Sequence, residues 1–135
     1  MKEINLLNTI ASLFKFKLIK DSEGNEYILF YNNQLDFIEN IEDKTAFEAI
    51  ENHIHIIEKV KKSDFDNVCS IGKILGKALL SCLNQEFPDK TFVVFVCVGI
   101  GQSLIIRFHQ KWGNEPLYYD VSGNYEKGTK IFIFE

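Results

Sequence analysis

The sequence contains none of the compact motifs by which common enzyme classes are recognised. It has no GxSxG, HExxH, P-loop or paired-carboxylate motif, and its 3 histidines leave few general bases. Three cysteines, Cys69, Cys82 and Cys97, stand apart without CxxC spacing, and their odd number argues against a closed disulfide framework. We therefore expect no enzymatic activity, no metal and no cofactor, and we expect buried thiols in a reducing compartment.

Long hydrophobic runs are also missing. No segment is apolar for long enough to cross a bilayer, and MKEINLLNTIASLFKFK at the N-terminus lacks the continuous core of a signal peptide. What is present is a globular composition, because 46% of the 135 residues are apolar, 25% are charged and 12 are Phe. These features predict a single domain over residues 1–135, a cytoplasmic location and no membrane partner.

The N-terminal half is predicted to contain helices and one hairpin. Apolar residues at helical spacing indicate a short amphipathic helix from Glu3 to Phe14. FKLIK and EYILFY flank Asp21–Asn25, whose Gly and Asn suit a tight connection between two strands. Thr45 and Glu48 have the spacing of a capping box, which predicts a helix from Thr45 to about Lys62.

A long central helix is predicted from Ser63 to Phe87, just before Pro88. Its interior holds Gly72 and Gly76, each unfavourable in a helix by about 1 kcal/mol relative to Ala. We expect another part of the backbone to approach this face closely, since only the absence of a side chain would allow it.

The C-terminal half changes to strand patterns. TFVVFVCV is typical of a strand covered on both faces, SLIIRFHQKW alternates, and LYYDV and KIFIF are further predicted strands joined by the turn GNYEKG. Gly99 and Gly101 are followed by a strand, which favours a hairpin turn over a phosphate-binding loop. The predicted fold is α+β, with N-terminal helices and a small hairpin, a long central helix and a C-terminal antiparallel β-meander packed against helices.

Charge is distributed unevenly along the chain. The net charge is −4, and residues 36–58 hold seven acids against the single base Lys44. Such a segment repels nucleic acid and anionic lipid, and it favours a basic protein partner. The acids chosen as candidate partner-binding residues are Asp36, Glu39, Glu42, Asp43, Glu48 and Glu51.

Aromatic and basic side chains near the C-terminus provide further candidates. Trp112, Tyr118 and Tyr119 are added to the partner-binding set, because Trp and Tyr are enriched at binding hot spots. An alternative ligand-binding face would use Arg107, His109 and Lys111, which alternate along one strand and would share a side of it.

A pair of histidines in the predicted helix 45–62 raises the question of a metal site. His53 and His55 point to nearly opposite sides of a helix, so they cannot share a metal unless the segment is a strand. Glu51 and His55 have suitable helical spacing, but no third ligand is indicated. No metal site is therefore predicted.

The small size, the acidic run DFIENIEDKTAFEAIE and the helices followed by strands ending RFHQKWGNEPLYYD resemble bacterial immunity proteins, including those of contact-dependent growth inhibition systems. The resemblance implies a cytosolic inhibitor that binds a cognate toxin, often a nuclease with a basic groove, as a monomer or weak homodimer. Two alternatives stay open. One is a ligand-binding or enzymatic domain using the Arg107 face with Tyr119, and the other is a structural homodimer joined through KIFIF.

Overall fold

The computed structural model describes residues 2–120 and 128–135. They form α-helices and two antiparallel sheets, which confirms the predicted α+β class. The helices are α1 (Lys2–Ser12), α2 (Lys44–Glu51) and α3 (Phe65–Glu86). The strands are β1 (Phe16–Lys20), β2 (Glu26–Phe30), β3 (His53–Ile57), β4 (Phe92–Gly99), β5 (Leu104–Gln110) and β6 (Thr129–Phe134).

The smaller sheet is the predicted hairpin of β1 and β2. Its connection is organised by Asp21, whose Oδ1 accepts the backbone N–H groups of Glu23 and Asn25 at 2.9 and 3.0 Å. Asp21 Oδ2 accepts the Tyr27 hydroxyl at 2.9 Å. Gly24 has φ +84°, a conformation that a side chain would disfavour. The turn is therefore held by one buried carboxylate and one glycine.

The larger sheet has the strand order β3-β5-β4-β6, with every pair antiparallel. β4 is buried on both faces along most of its length, as its continuous apolar sequence predicts. A turn with Gly101 at φ +75° joins β4 to β5, which confirms the hairpin prediction. β6 pairs with β4 on the side away from β5. In a simple meander it would instead pair with β5, the strand that precedes it in the chain.

Helix α3 packs across the larger sheet and encloses the main core with it. A Cβ at Gly72 would lie 2.8 Å from Val96, and one at Gly76 would lie 2.7 Å from both Val96 and Phe134. Neighbouring atoms do lie very close to this face, but the prediction that they belong to another part of the backbone is wrong, because they are side chains of β4, β5 and β6. The helix lies this close to the sheet because both glycines lack a side chain.

The helix predicted from Thr45 to Lys62 is wrong beyond its first two turns. Asp43 caps α2 by accepting the Ala46 N–H at 2.9 Å, so Thr45 is not the N-cap and does not form a capping box with Glu48. The helix ends at Glu51, and His53–Ile57 forms β3 against β5. The sequence HIHII is rich in β-branched residues, and pairing with an available strand overrides the weak helical pattern.

The predicted strand LYYDV is also wrong over residues 117–120, which lie outside any strand. Pro116 precedes them and has no N–H to donate to a sheet ladder. Tyr119 instead packs on the larger sheet, with its ring centroid 4.9 Å from that of Phe95. Val121 and most of the predicted turn GNYEKG lie outside the described residues.

The backbone groups on the outer edge of β2 are hydrogen-bonded by side chains of α2 and its C-cap. Glu48 Oε2 accepts the Ile28 N–H at 3.0 Å, and Asn52 Oδ1 accepts the Phe30 N–H at 3.1 Å. Asn52 Nδ2 donates to the Ile28 carbonyl at 2.8 Å. Glu48 and Asn52 are four residues apart, so one side of α2 and its C-cap presents both groups to the strand.

Across residues 2–120 and 128–135, no helix combines the length and the apolar character needed to span a bilayer. The apolar residues are instead gathered into two clusters. The larger lies between α3 and the four-stranded sheet and extends to Leu13 and to Phe16, Ile28 and Phe30 of the hairpin. The smaller is centred on Ile19, Tyr27, Leu29 and Ile38.

Candidate functional site

The connection between β2 and α2, residues 31–43, carries most of the predicted acidic surface and is here named the acidic loop. It contains neither helix nor strand, and its sequence YNNQLDFIENIED has four acids and no base. The side chains of Asp36, Glu39, Glu42 and Asp43 are all exposed. The structure therefore places four of the six predicted acids on one exposed segment.

Apolar residues hold the acidic loop against the hairpin. Ile38 is buried in the smaller cluster, and Leu35 and Ile41 pack against that cluster. These three residues recur every third position, so the acids between them face solvent. The loop is thus a packed segment with an apolar underside and a charged outer surface.

Polar contacts fasten the same loop at its start. Lys17 Nζ, on β1, donates to the carbonyl groups of Asn33 and Leu35. It also lies 3.8 Å from the carboxylate of Asp36, a side chain that is 97% exposed. At that exposure an ion pair contributes little, so Lys17 acts chiefly by holding the loop backbone.

Phe37, in the centre of the acidic loop, is a residue that sequence reasoning missed. It is 68% exposed although it follows Asp36 directly and precedes the buried Ile38. The sequence contained a signal for this exposure, since Phe37 falls outside the three-residue spacing of the packed residues Leu35, Ile38 and Ile41. A large exposed aromatic among acids is the kind of side chain that anchors protein interfaces.

Glu48 does not belong to this surface, and its prediction as a partner-binding acid is wrong. Its side chain is fully buried, and it accepts four N–H groups. Oε1 accepts from the Gln110 backbone at 2.8 Å and Trp112 Nε1 at 2.7 Å, and Oε2 accepts from the Ile28 backbone at 3.0 Å and Gln110 Nε2 at 2.8 Å. Burial raises the pKa of this carboxyl, and the hydrogen bonds oppose the rise.

Glu51, the last predicted acid, is half-buried at the end of α2. Its Oε1 accepts the Asn33 side-chain amide at 3.1 Å, and Asn33 Oδ1 in turn accepts the Leu35 N–H at 2.8 Å. Glu51 therefore helps to position the start of the acidic loop.

Trp112 is a packing residue of the smaller cluster. Its ring centroid lies 5.2 Å from that of Tyr27, and its indole N–H is bonded to Glu48. The ring is half-buried, with Lys44 Nζ 5.9 Å from its centroid. Its contacts with Tyr27 and Glu48 fix the orientation of the ring, so Trp112 packs beneath the surface next to α2.

Tyr118 and Tyr119 enclose the guanidinium of Arg107. The Arg107 Cζ lies 4.8 Å from the Tyr118 ring centroid and 5.5 Å from that of Tyr119. Arg107 Nη1 donates to the Ala49 carbonyl at 3.0 Å. Burial raises the pKa of the Tyr119 hydroxyl, which keeps it neutral. Both tyrosines are half-buried and cover the sheet face opposite α3.

The predicted ligand face of Arg107, His109 and Lys111 is not an open cationic surface. His109 is fully buried, with Nδ1 2.7 Å from the Gln110 carbonyl and Nε2 accepting the Tyr118 N–H at 3.2 Å. Burial lowers the pKa of this imidazole and so favours its uncharged form. Lys111 is exposed and pairs with Glu135 at 3.3 Å. The three side chains have separate partners and do not converge on one ligand.

No protein-family model, no curated protein and no solved structure matches this chain. A function is therefore proposed from the surface of the chain itself. In the described residues, the acidic loop combines clustered charge of one sign with an exposed aromatic ring.

Proposed function

We propose that this chain is an inhibitor that binds a basic protein through the acidic loop, in the manner of bacterial immunity proteins and their toxins. One observation carries the proposal: Phe37 is 68% exposed in a segment with four exposed acids and no base. The basic partner would be a cytosolic toxin such as a nuclease, whose substrate groove must attract phosphate.

The charge of the loop supports fast association. The four carboxylates of residues 31–43, a segment that itself contains no base, produce a negative potential that attracts a basic surface before contact. Steering of this kind accelerates association and weakens with added salt. An inhibitor must reach its toxin before the toxin reaches its substrate, so rapid encounter is an advantage for this function.

The packing of the loop supports slow dissociation. Ile38 of the loop is buried, and Lys17 and Glu51 hold the start of the loop by hydrogen bonds. A segment already fixed in place loses little conformational entropy when it binds. Phe37 then enters a pocket of the partner as a rigid anchor surrounded by charged contacts.

The test is to capture the partner from the native host with the tagged chain, purify it and measure its inhibition. We expect a basic protein whose toxic activity is blocked at equal molar ratio. The triple variant Asp36→Lys, Glu39→Lys and Glu42→Lys should bind at least about tenfold more weakly at low salt. Phe37→Ala should shorten the lifetime of the complex by about tenfold or more.

The matched control reverses three exposed acids elsewhere, with Asp64→Lys, Glu86→Lys and Asp89→Lys. This variant has the same net charge as the triple loop variant, so it separates the location of charge from its amount. If both triple variants inhibit as well as the unmodified chain, the acidic loop is not the binding surface. If the captured protein has no activity that the chain suppresses, the inhibitor proposal itself is rejected.

A further inference from the structure

His53 and His55 lie on the same face of β3, because residues two apart in a strand point to the same side. Both side chains are exposed, and their ring centroids are 5.5 Å apart. The helical pattern in the sequence had assigned them to opposite sides of a helix. Formation of β3 therefore creates a pair of neighbouring imidazoles.

Hydrogen bonds fix the same tautomer in both rings. His53 Nδ1 lies 2.6 Å from the Ile50 carbonyl oxygen, which can only accept, so Nδ1 carries the proton. The Ser103 hydroxyl donates to the Glu58 carbonyl at 3.1 Å and therefore accepts from His55 Nδ1 at 3.0 Å. Each neutral ring is left with its Nε2 lone pair for another partner.

This is the arrangement found around metal-binding histidines. A ligating imidazole commonly donates its second ring N–H to an oxygen, which orients the ring and increases its basicity. With metal–nitrogen distances of about 2.0 to 2.1 Å and a tetrahedral angle, two ligating rings have centroids roughly 5 Å apart. The observed separation of 5.5 Å needs only a small adjustment to reach that value.

The surroundings leave room for an ion and its remaining ligands. His53 and His55 line a cavity of about 380 Å³ together with Glu51. The described part of the chain brings no three His, Cys, Asp or Glu side chains close enough to surround an ion. Two protein ligands are therefore available, and water molecules in the cavity would fill the other positions.

We propose that His53 and His55 bind one divalent transition-metal ion through their Nε2 atoms. Imidazole nitrogen suits Zn²⁺, Ni²⁺ and Cu²⁺, whereas Mg²⁺ and Ca²⁺ favour oxygen ligands. The site lies on the edge strand of the larger sheet, and the argument for it does not rest on the proposed inhibitor function.

The experiment is calorimetric titration of the untagged, chelator-treated chain with NiCl₂ and with ZnCl₂ at pH 7.5, and with MgCl₂ as a negative control. We expect one Ni²⁺ or Zn²⁺ per chain and no Mg²⁺. His53→Ala and His55→Ala should each weaken binding at least about tenfold, and Ser103→Ala, which releases the His55 ring, should also weaken it by about tenfold. Asn32→Ala alters an exposed residue of the same cavity and should leave affinity unchanged.

Imidazole ¹⁵N spectra distinguish the ligating atom, since Zn²⁺ should shift Nε2 of His53 and His55 and leave the signals of the buried His109 in place. Absence of binding at millimolar Ni²⁺ and Zn²⁺ overturns the proposal. Binding that persists in the double variant His53→Ala, His55→Ala also overturns it, because the ion would then be held elsewhere, for example by cysteine thiolates. The exposed positions of both histidines make loss of folding an unexpected result, and circular dichroism of each variant checks it.

Discussion

Glu48 and Gln110 meet through two hydrogen bonds in the interior of the protein. Oε1 of Glu48 accepts the backbone N–H of Gln110, and Oε2 accepts its side-chain amide, both at 2.8 Å. The Gln110 amide also donates to the Glu26 carbonyl at 2.8 Å. This contact joins α2, the end of β5 and the edge of β2, so one buried carboxylate links the two sheets.

Replacement of Glu48 by Ala should lower the free energy of unfolding by at least about 3 kcal/mol. The substitution leaves four N–H donors without their acceptor, and each buried unsatisfied donor costs about 1–3 kcal/mol. Urea denaturation followed by tryptophan fluorescence measures the change. Glu42→Ala removes the same charge from an exposed site and should change stability by less than about 0.5 kcal/mol. Equal stability of the two variants would contradict this role of Glu48.

Asn52→Ala should destabilise the protein by about 2 kcal/mol and expose the edge of β2. Its side chain satisfies the Phe30 N–H and the Ile28 carbonyl, and no substitute is available from Ala. Hydrogen exchange at the Phe30 amide should accelerate more than exchange in the centre of β4. Asn84→Ala, at an exposed position of α3, is the control and should affect neither quantity. An unchanged exchange rate at Phe30 would show that the edge is protected by another group.

Gly76→Ala should destabilise the protein, in contrast to the usual effect of this change in a helix. Ala is favoured over Gly by about 1 kcal/mol at an exposed helical position. Here the new Cβ would lie 2.7 Å from Phe134 and Val96, and overpacking of this kind costs about 1–3 kcal/mol. Thermal denaturation is the measurement, with Ser81→Ala on the exposed side of α3 as control. An increase in Tm for Gly76→Ala would mean that α3 can move away from the sheet at little cost.

His109 should make stability depend on pH in the mildly acidic range. Burial lowers the pKa of the folded-state imidazole, against opposing effects of its bond to Gln110 and the charges of Glu115 and Asp43; Lys111 adds to the lowering. In the unfolded chain the group titrates near its ordinary pKa of about 6.5. Below that pH the unfolded state binds this proton more readily than the folded state does, so stability falls as the pH is lowered through about 6.5 and is unaffected by this group well above it.

The variant His109→Gln lacks this titration and therefore isolates it. We expect the stability of the unmodified chain, relative to the variant, to fall below about pH 6.5 by up to about 1.4 kcal/mol per pH unit. Urea midpoints at pH 7.5, 6.5 and 5.5 measure the difference, and other titrating groups common to both proteins largely cancel. A constant difference across this range would show that His109 is accommodated equally well when charged.

Sequence reasoning succeeded where local chemistry was strong. The continuous apolar run of β4, the turn residues Asp21 and Gly24, and the Pro88 that follows α3 each restrict the backbone through nearby atoms. It also identified Gly72 and Gly76 as points of close approach. Glycine is unfavourable inside a long helix, so its presence indicates that a near neighbour leaves no space for a side chain.

The errors arose where partners distant in the chain decided the outcome. His53–Ile57 has residues that suit a strand, but the segment forms β3 only because the edge of β5 is available to pair with it. Glu48 and Glu51 look alike in sequence, yet one is buried beneath Trp112 and the other binds Asn33 at the loop. Charge clustering cannot distinguish them, because burial depends on which residues pack over them.

The sequence by itself determined the α+β class, the single long helix against strands and the concentration of acids between residues 36 and 51. Those features depend on periodicity and composition, which every local segment carries. Only the tertiary structure decided that Phe37 is exposed, that Glu48 is enclosed by four donors and that His53 and His55 are neighbours. Each of these depends on contacts across many residues of sequence, and such contacts exist only after the two sheets and α2 have packed together.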